Sequence, residues 1–378
     1  MRRRTLLPLL TLGGLAACSR PDTTPASGPS TGSATSPSAS PSPDPVADLP
    51  LEAAAAQLVW CAIPAGQEPL RTDLPLGGWF LLGVWESATE VDRVVEQAGQ
   101  RGDRAGLRLP PPVIAVDQEG GRIRMLRGDA ARETPSAEEL GEQGPDAVRE
   151  AYVSIGEDLA ARGIGLALAP VADVVDPELG DDNAPVGELD RGFGTDPQEA
   201  AACVAAAVEG LAQHRVGATL KHFPGLGRVR SNTDHAADGI EDDRTHAEDE
   251  VLEAFRSGID AGARAVMVSS AIYSKIDPET PAMFSRIVIE DVLRGRLGWD
   301  GLVVTDDIGA AQAVQDVPVA ERATRLLDAG GDAVLTADPG IAEELVAAVV
   351  EYARSGAEQE QRVRRSASRV LRVALAGA

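Results

Sequence analysis

Lysine occurs only twice in this chain, at Lys221 and Lys275, and four histidines, three cysteines and 3% aromatic residues complete a short supply of reactive side chains. The three cysteines are too few for a disulfide framework. No cysteine and histidine cluster has zinc-site spacing, so neither a metal nor another cofactor is implied. Arginine and lysine total 35 against 59 aspartates and glutamates, for a net charge of −24. Such an acidic chain argues against nucleic acid or a polyanion as partner. No Gly-x-Gly-x-x-Gly follows the first apolar run, which speaks against a dinucleotide fold. The apolar run Leu6–Leu12 falls well short of the roughly 20 residues of a membrane-spanning helix.

What is present begins with an address. Arg2, Arg3 and Arg4 precede that apolar run, and Leu15-Ala16-Ala17-Cys18 closes it, so residues 1–18 read as a signal peptide. The closing four residues resemble a bacterial lipobox, which implies cleavage before Cys18, lipidation of that cysteine and anchorage to the cell membrane on its outer side. A plain secretory signal with an incidental cysteine is the alternative. Residues 19–48, almost wholly Ser, Pro, Thr, Ala and Gly, read as a disordered spacer. Residues 49–378 have globular composition and are expected to form one domain and to act as a monomer. About 330 residues is long for a single domain unless it is a barrel. Cys61 and Cys203 lie in apolar contexts and read as buried thiols, although an exported address permits a bridge between them.

Eight short apolar runs recur along that part of the chain, at 58–63, 78–84, 113–117, 165–171, 218–221, 265–269, 302–306 and 333–336. Continuous runs of this length suit strands buried on both faces of a parallel sheet. Between them, 90–102, 147–162, 198–214, 247–262 and 317–329 carry apolar residues at helical spacing, with Gly163, Gly262 and Gly330 at plausible stops. Eight such units predict an α/β fold of (β/α)8 barrel type, with a doubly wound sheet as the alternative.

The densest chemistry lies at 219–235, where Lys221 and His222 end the fifth run and Pro224-Gly225 breaks it. Asp117 ends the third run and Asp306 the seventh; Arg191 falls in the long loop after the fourth. Strand ends of this kind are where barrels build active sites. A carboxylate facing hydrogen-bonding groups, without a metal cluster, suits acid/base or nucleophilic chemistry on a neutral, hydroxyl-rich substrate such as a sugar. Each residue has a plainer reading too. Asp306 would cap the following helix, Arg191 would tether its loop through Asp196, and Asp117, Lys221 and His222 would form a buried polar network.

The segments VIAVDQEGGRI (113–123), LAPVADV (168–174), RGFGTDP (191–197), KHFPGLG (221–227) and GLVVTDDIGA (301–310) resemble, in order and spacing, the motifs of glycoside hydrolase family 3, in its single-domain β-N-acetylhexosaminidase branch. The resemblance covers residues 50–350. It implies a retaining exo-glycosidase that removes terminal β-linked N-acetylglucosamine from cell-wall-derived or related glycans, with Asp306 as the nucleophile that forms a glycosyl-aspartate. It implies substrate binding by Asp117, Arg191, Lys221 and His222, and a carbohydrate as the partner.

The pattern also departs from that family. Its Asp-Ser-His triplet, which supplies the acid/base, falls here on Asn232, Thr233 and Asp234, with His235 one place beyond. Leu226 replaces a histidine, and an expected arginine falls at Met125, with Arg124 or Arg127 as possible substitutes. Three accounts follow: Asp234 is the acid/base; His235 shifts into the site with Asp234 or Asp238 as its partner; or the protein binds sugars and turns them over poorly. A β-glycosidase or phosphorylase of other specificity is a further alternative.

Overall fold

The computed structural model describes residue 46 and residues 48–100, 106–107, 109–236 and 240–377. The expected signal peptide with Cys18, nearly all of the spacer, and Asp238 lie outside the described residues. The spacer boundary needs one correction. Val46, assigned to it on composition, is buried in the core, and its carbonyl accepts from Leu49 N–H and Arg364. The folded part therefore begins before residue 49.

Eight parallel strands close into a barrel in sequential order: β1 (Val59–Pro64), β2 (Gly78–Leu82), β3 (Val113–Val116), β4 (Leu166–Ala167), β5 (Gly217–Phe223), β6 (Ala265–Val268), β7 (Leu302–Asp307) and β8 (Ala333–Thr336). Closure is made by β1 against β8, with Val59 opposite Val334. The (β/α)8 expectation holds, run for run. β4 is shorter than its apolar run because Pro170 has no N–H to give the ladder, which resumes only as an isolated Val171–Lys221 bridge.

Side chains alternate in and out along each strand, and the inward set is apolar. Phe80, Leu168, Met267 and Leu335 come from the even-numbered strands or just beyond their ends, and Ala62, Ala115 and Val304 from odd ones, all in one inner cluster. Layers drawn from alternate strands are how such barrels fill their interior. The outward set packs on the surrounding helices in a second, larger cluster.

The helices begin where the sequence supplies caps. Asp196 accepts from the N–H groups of Gln198 and Glu199 at 2.9 and 3.0 Å to start Pro197–Ala212, with proline in the first turn. Ser136 and Glu139 form a reciprocal capping box at Ala137–Gln143, a helix absent from the expected set. The expected helix at 247–262 narrows to Glu253–Asp260, because Asp249 caps a 3-10 turn at Glu250–Leu252 first. Val319–Ala329 stops at Gly330, whose φ of 102° is left-handed.

The last helix, Ala357–Gly377, goes beyond the eight repeating units. Its Val370, Val373 and Ala374 join the inner cluster with Val113, Ala265, Leu302 and Ala333, residues at the strand starts, and so plug that end of the barrel. Asp332, buried at the entry to β8, holds it there through Ser366 (2.8 Å) and Arg369 (3.0 Å). Cys61 and Cys203 are buried free thiols, as expected, and burial pushes them up to about 12 and about 11.

Candidate active site

The opposite end of the barrel is open. A cavity of about 830 Å³ lies over the strand ends, and its floor includes Phe80, Leu168, Met267 and Leu335. The period-two alternation that points Ala115 and Val304 inward points the residues two places on, Asp117 and Asp306, into this space; Lys221 and His222 line it as well. Lys221 and His222 are sequence neighbours and would ordinarily face opposite ways. Here the register of β5 against β6 shifts between Leu220 and Phe223, and both side chains reach the cavity. The peptide joining them is cis.

Asp117, Arg191, Lys221, His222, Asp234, His235 and Asp306 all line the one cavity. Three of them, Asp117, Arg191 and Lys221, join Glu119 in an ion network. Lys221, 2% exposed, places its Nζ 2.5 Å from Asp117 Oδ1 and 2.6 Å from Glu119 Oε1. Arg191 donates to both oxygens of Glu119, at 2.9 and 2.8 Å, and to the Pro185 carbonyl at 2.7 Å. A carboxylate without partners at this depth would be protonated. Burial does work to raise Glu119, but Arg191 and Lys221 together hold it down at about 2. Burial likewise pushes the Lys221 ammonium down, and Asp117 and Glu119 more than offset it, so its pKa is raised. Glu119 and its two cations are thus fixed in their ionised forms.

His222 is oriented from behind. Asp173, 1% exposed, takes the His222 backbone N–H on one oxygen and faces Nδ1 with the other, both at 2.8 Å. Nε2 lies 3.4 Å from Arg191 Nη2, a donor. Arg191 therefore does not tether its loop through Asp196, which caps a helix instead.

Asp306 and Asp307 have separate roles. Asp307 accepts from the N–H groups of Gly309, Ala310, Ala311 and Ala337 at 2.7 to 3.0 Å, which makes it the cap that ties the β7 loop to β8. The capping alternative considered for Asp306 belongs to its neighbour. Asp306 accepts from the Asp307 N–H at 2.9 Å and faces the cavity. Burial raises its carboxyl to about 6; His222 opposes that shift, the Asp234 carboxylate adds to it, and the Asp307 N–H and Lys221 oppose it.

The loop after β5 is built in two parts. Leu226 is buried, and the Asn183 amide donates to its carbonyl at 2.7 Å and to that of Val229 at 2.6 Å. Gly227 packs so close to the Val174 carbonyl that a Cβ would sit 1.8 Å from its oxygen. Beyond this, Asn232 to His235 form a turn in which Thr233 is buried and Asp234 and His235 are exposed, with Asn232 Oδ1 accepting from Asp234 N–H at 2.9 Å. The backbone carbonyl of Asp234 accepts from Gln312 N–H at 3.3 Å, which docks the turn on the β7 loop.

Two members of the site lay outside the sequence assignment of binding residues. Glu119 is the centre of the ion network. Asp173 was not singled out, although a lone aspartate in the apolar stretch 168–175 is the kind of signal that marks a buried partner. Arg124, one of two proposed stand-ins at position 125, points away from the cavity. It donates to the Gly121 carbonyl and to Glu133, while Arg127 donates to the carbonyls of Arg122 and Arg124.

Comparison with known proteins points the same way. Residues 54–373 match the glycosyl hydrolase family 3 N terminal domain. The chain is similar to a beta-hexosaminidase of Stenotrophomonas maltophilia (strain K279a), 41% identical over 249 residues, or 63% of this chain and 71% of that relative. A beta-hexosaminidase of Xanthomonas oryzae pv. oryzae (strain KACC10331 / KXO85) is 39% identical over 248 residues, with the same coverage. Among solved structures, the beta-N-acetylhexosaminidase from Beutenbergia cavernae DSM 12333 superposes with a TM-score of 0.81 at 41% identity, over 87% of this chain and 99% of that one. A family 3 beta-N-acetylglucosaminidase from Paenibacillus sp. str. FPU-7 gives 0.76 at 28% identity, over 87% of this chain and 63% of that one. With family match, relatives, barrel and strand-end carboxylates in agreement, the chain belongs to glycosyl hydrolase family 3 and is a glycoside hydrolase.

Proposed function

We propose that this enzyme is a retaining exo-β-N-acetylhexosaminidase that releases terminal β-linked N-acetylglucosamine through a glycosyl ester on Asp306. One observation carries the reading. Asp306 accepts a backbone hydrogen bond at the end of β7 and opens onto a cavity that Asp117, Arg191, Lys221 and His222 also line. A carboxyl raised to about 6 is mostly ionised at neutral pH and still a good leaving group when water returns.

Asp306 attacks the anomeric carbon while the aglycone oxygen takes a proton from the opposite wall. Asp234 is the donor in this reading. It lines the same cavity as Asp306, on the turn after β5 that is docked on the β7 loop. Water, deprotonated by the same group, then cleaves the ester, so the sugar leaves with retained configuration. Asp117 accepts from sugar hydroxyls, and Lys221, Arg191 and His222 hold it and each other in place. The lipobox-like ending at Cys18 supports a membrane-anchored, extracytoplasmic enzyme acting on envelope glycans; metabolic labelling with a fatty acid, lost in Cys18→Ala, tests it.

The test of the activity uses protein lacking residues 1–18 and an aryl N-acetyl-β-glucosaminide beside the matching aryl β-glucoside. Turnover of the first and little of the second is expected, with Asp306→Asn lowering kcat by about a thousandfold or more. Full activity of that variant removes Asp306 as nucleophile; a preference for the glucoside removes the N-acetyl specificity. Binding of the free sugar without turnover makes the protein a sugar-binding one.

A further inference from the structure

The plugged end of the barrel holds a second cavity, of about 180 Å³, whose lining includes Arg264, Arg369, Arg372, Leu302 and Val373. Three guanidinium groups meet there in a chain whose net charge is −24. Like charges so placed repel one another unless carboxylates stand among them.

Among the described residues, carboxylates pair with only one of the three. Arg369, on the last helix, meets Asp300 at 2.9 Å and Asp332 at 3.0 Å, and Asp332 is shared with Arg294 at 2.8 Å. Arg372, one turn further along the helix, is exposed and acts on Asp300 only from a distance, with no hydrogen bond or ion pair of its own among the described residues. Arg264, at the entry to β6, is left more sharply alone. Its Nη1 is shut off from water without a hydrogen-bond partner, and no carboxylate offsets the burial that lowers its pKa. Packing explains its stem but not its charge. Gly217, the first residue of β5, leaves the space for that stem, since a Cβ there would sit 2.6 Å from Arg264 Cδ. An uncharged side chain of the same length would cover this surface without the cost of an unpaired cation.

We infer that this cavity is an anion site that takes a phosphate group, free or on a lipid headgroup, with Arg264 and Arg372 as its unpaired cations. It lies at the end of the barrel opposite the catalytic cavity, and the inference does not rest on the glycosidase reading. A guanidinium offers a planar fork of donors, and one fork suffices for the two oxygens of a carboxylate. Two forks from separate elements, the entry to β6 and the last helix, suit a tetrahedral anion with more oxygens. An anion held by both fastens the plug to the barrel wall, so binding should raise stability.

The test uses protein lacking residues 1–18, which keeps any lipid anchor out of the measurement. About 20 mM inorganic phosphate should raise the unfolding temperature by about 2 °C or more over chloride at matched ionic strength, and acetate should do much less. Arg264→Met keeps the stem and should abolish the rise; Arg372→Gln, at an exposed position that leaves the fold unchanged, should at least halve it. Cosedimentation with phosphatidylcholine vesicles containing phosphatidylglycerol separates the two sources. Vesicle binding that both variants lose assigns a lipid headgroup, and stabilisation by phosphate without such binding assigns a free phosphate. Three results overturn the inference: the same rise in the native protein and both variants, equal effects of phosphate and acetate, or neither a rise with phosphate nor vesicle binding that the variants lose.

Discussion

The end of β5 and the turn only ten residues beyond it are built on opposite principles. Lys221 and His222 sit on a barrel strand, buried, and each is held by carboxylates: Lys221 by Asp117 and Glu119, His222 by Asp173. Asp234 and His235 lie exposed on a turn held by Asn232, by its own backbone and by the β7 loop. Binding groups gain from a rigid setting, because a sugar recognised by several hydrogen bonds tolerates little displacement. A proton donor must meet bound substrate and solvent in turn, and a docked but exposed turn suits that. The difference explains how family resemblance fades at the turn while the strand end keeps its motif. A strand-end residue is constrained by several buried partners at once, whereas a turn residue is constrained by one proton-transfer geometry that more than one side chain can meet.

The sharpest way to break the comparison is at Lys221. Lys221→Met leaves Asp117 and Glu119 without their shared cation, and a loss of about 3–5 kcal/mol is expected in denaturant unfolding. Glu119→Gln should act in the same direction, since it leaves Arg191 and Lys221 underpaired. Asp234→Asn and His235→Ala should each change stability by no more than about 0.5 kcal/mol, as exposed positions do. If the turn variants unfold as readily as Lys221→Met, the two regions are not different in kind.

Activity should reverse that order. Asp234→Asn is expected to slow an N-acetylglucosaminide with a poor leaving group by about a hundredfold and one with a nitrophenyl leaving group much less. Loss in His235→Ala instead moves the proton transfer one residue along the turn. Asp173→Asn acts through His222 and should raise KM by about tenfold with a smaller change in kcat.

The smallest effect is in pH dependence. Asp306 must be ionised to attack, so kcat/KM should fall to about half near pH 6 and continue downward in acid. The sign for stability is opposite. A carboxyl raised from 3.8 to about 6 on folding holds its proton more tightly in the folded state, so stability declines as pH rises through that window. Asp306→Asn should remove this decline. Glu119, lowered to about 2, contributes stability that is present above 4.5 and lost as pH falls toward 2.

The barrel was legible because its strands are buried on both faces and leave unbroken apolar runs; even the short β4 is explained by Pro170 within its run. Asp117, Lys221 and Asp306 were legible because each interrupts such a run at its end. Asp173 was harder to find, since its meaning depends on a histidine 49 positions later in the chain. The place of Glu119 depends likewise on distant partners, since Arg191 and Lys221 come from other units of the barrel. The helix at 357–377 plugs the barrel through a spacing of apolar residues that reads in sequence like any other outer helix. At 232–235 the residues are visible but their roles are not, because Asp234 and His235 stand exposed, where no burial marks a function.

The central claim is that Asp306 carries the sugar between the two half-reactions. Reaction with a 5-fluoro-N-acetyl-β-glucosaminyl fluoride, which slows release of the glycosyl-enzyme, followed by peptide mass mapping, tests it directly. A single sugar adduct on the peptide containing Asp306, with fragmentation placing it on that residue and not on Asp307, is the predicted result. An adduct on Asp307, Asp234, Asp117 or any other residue would contradict the account.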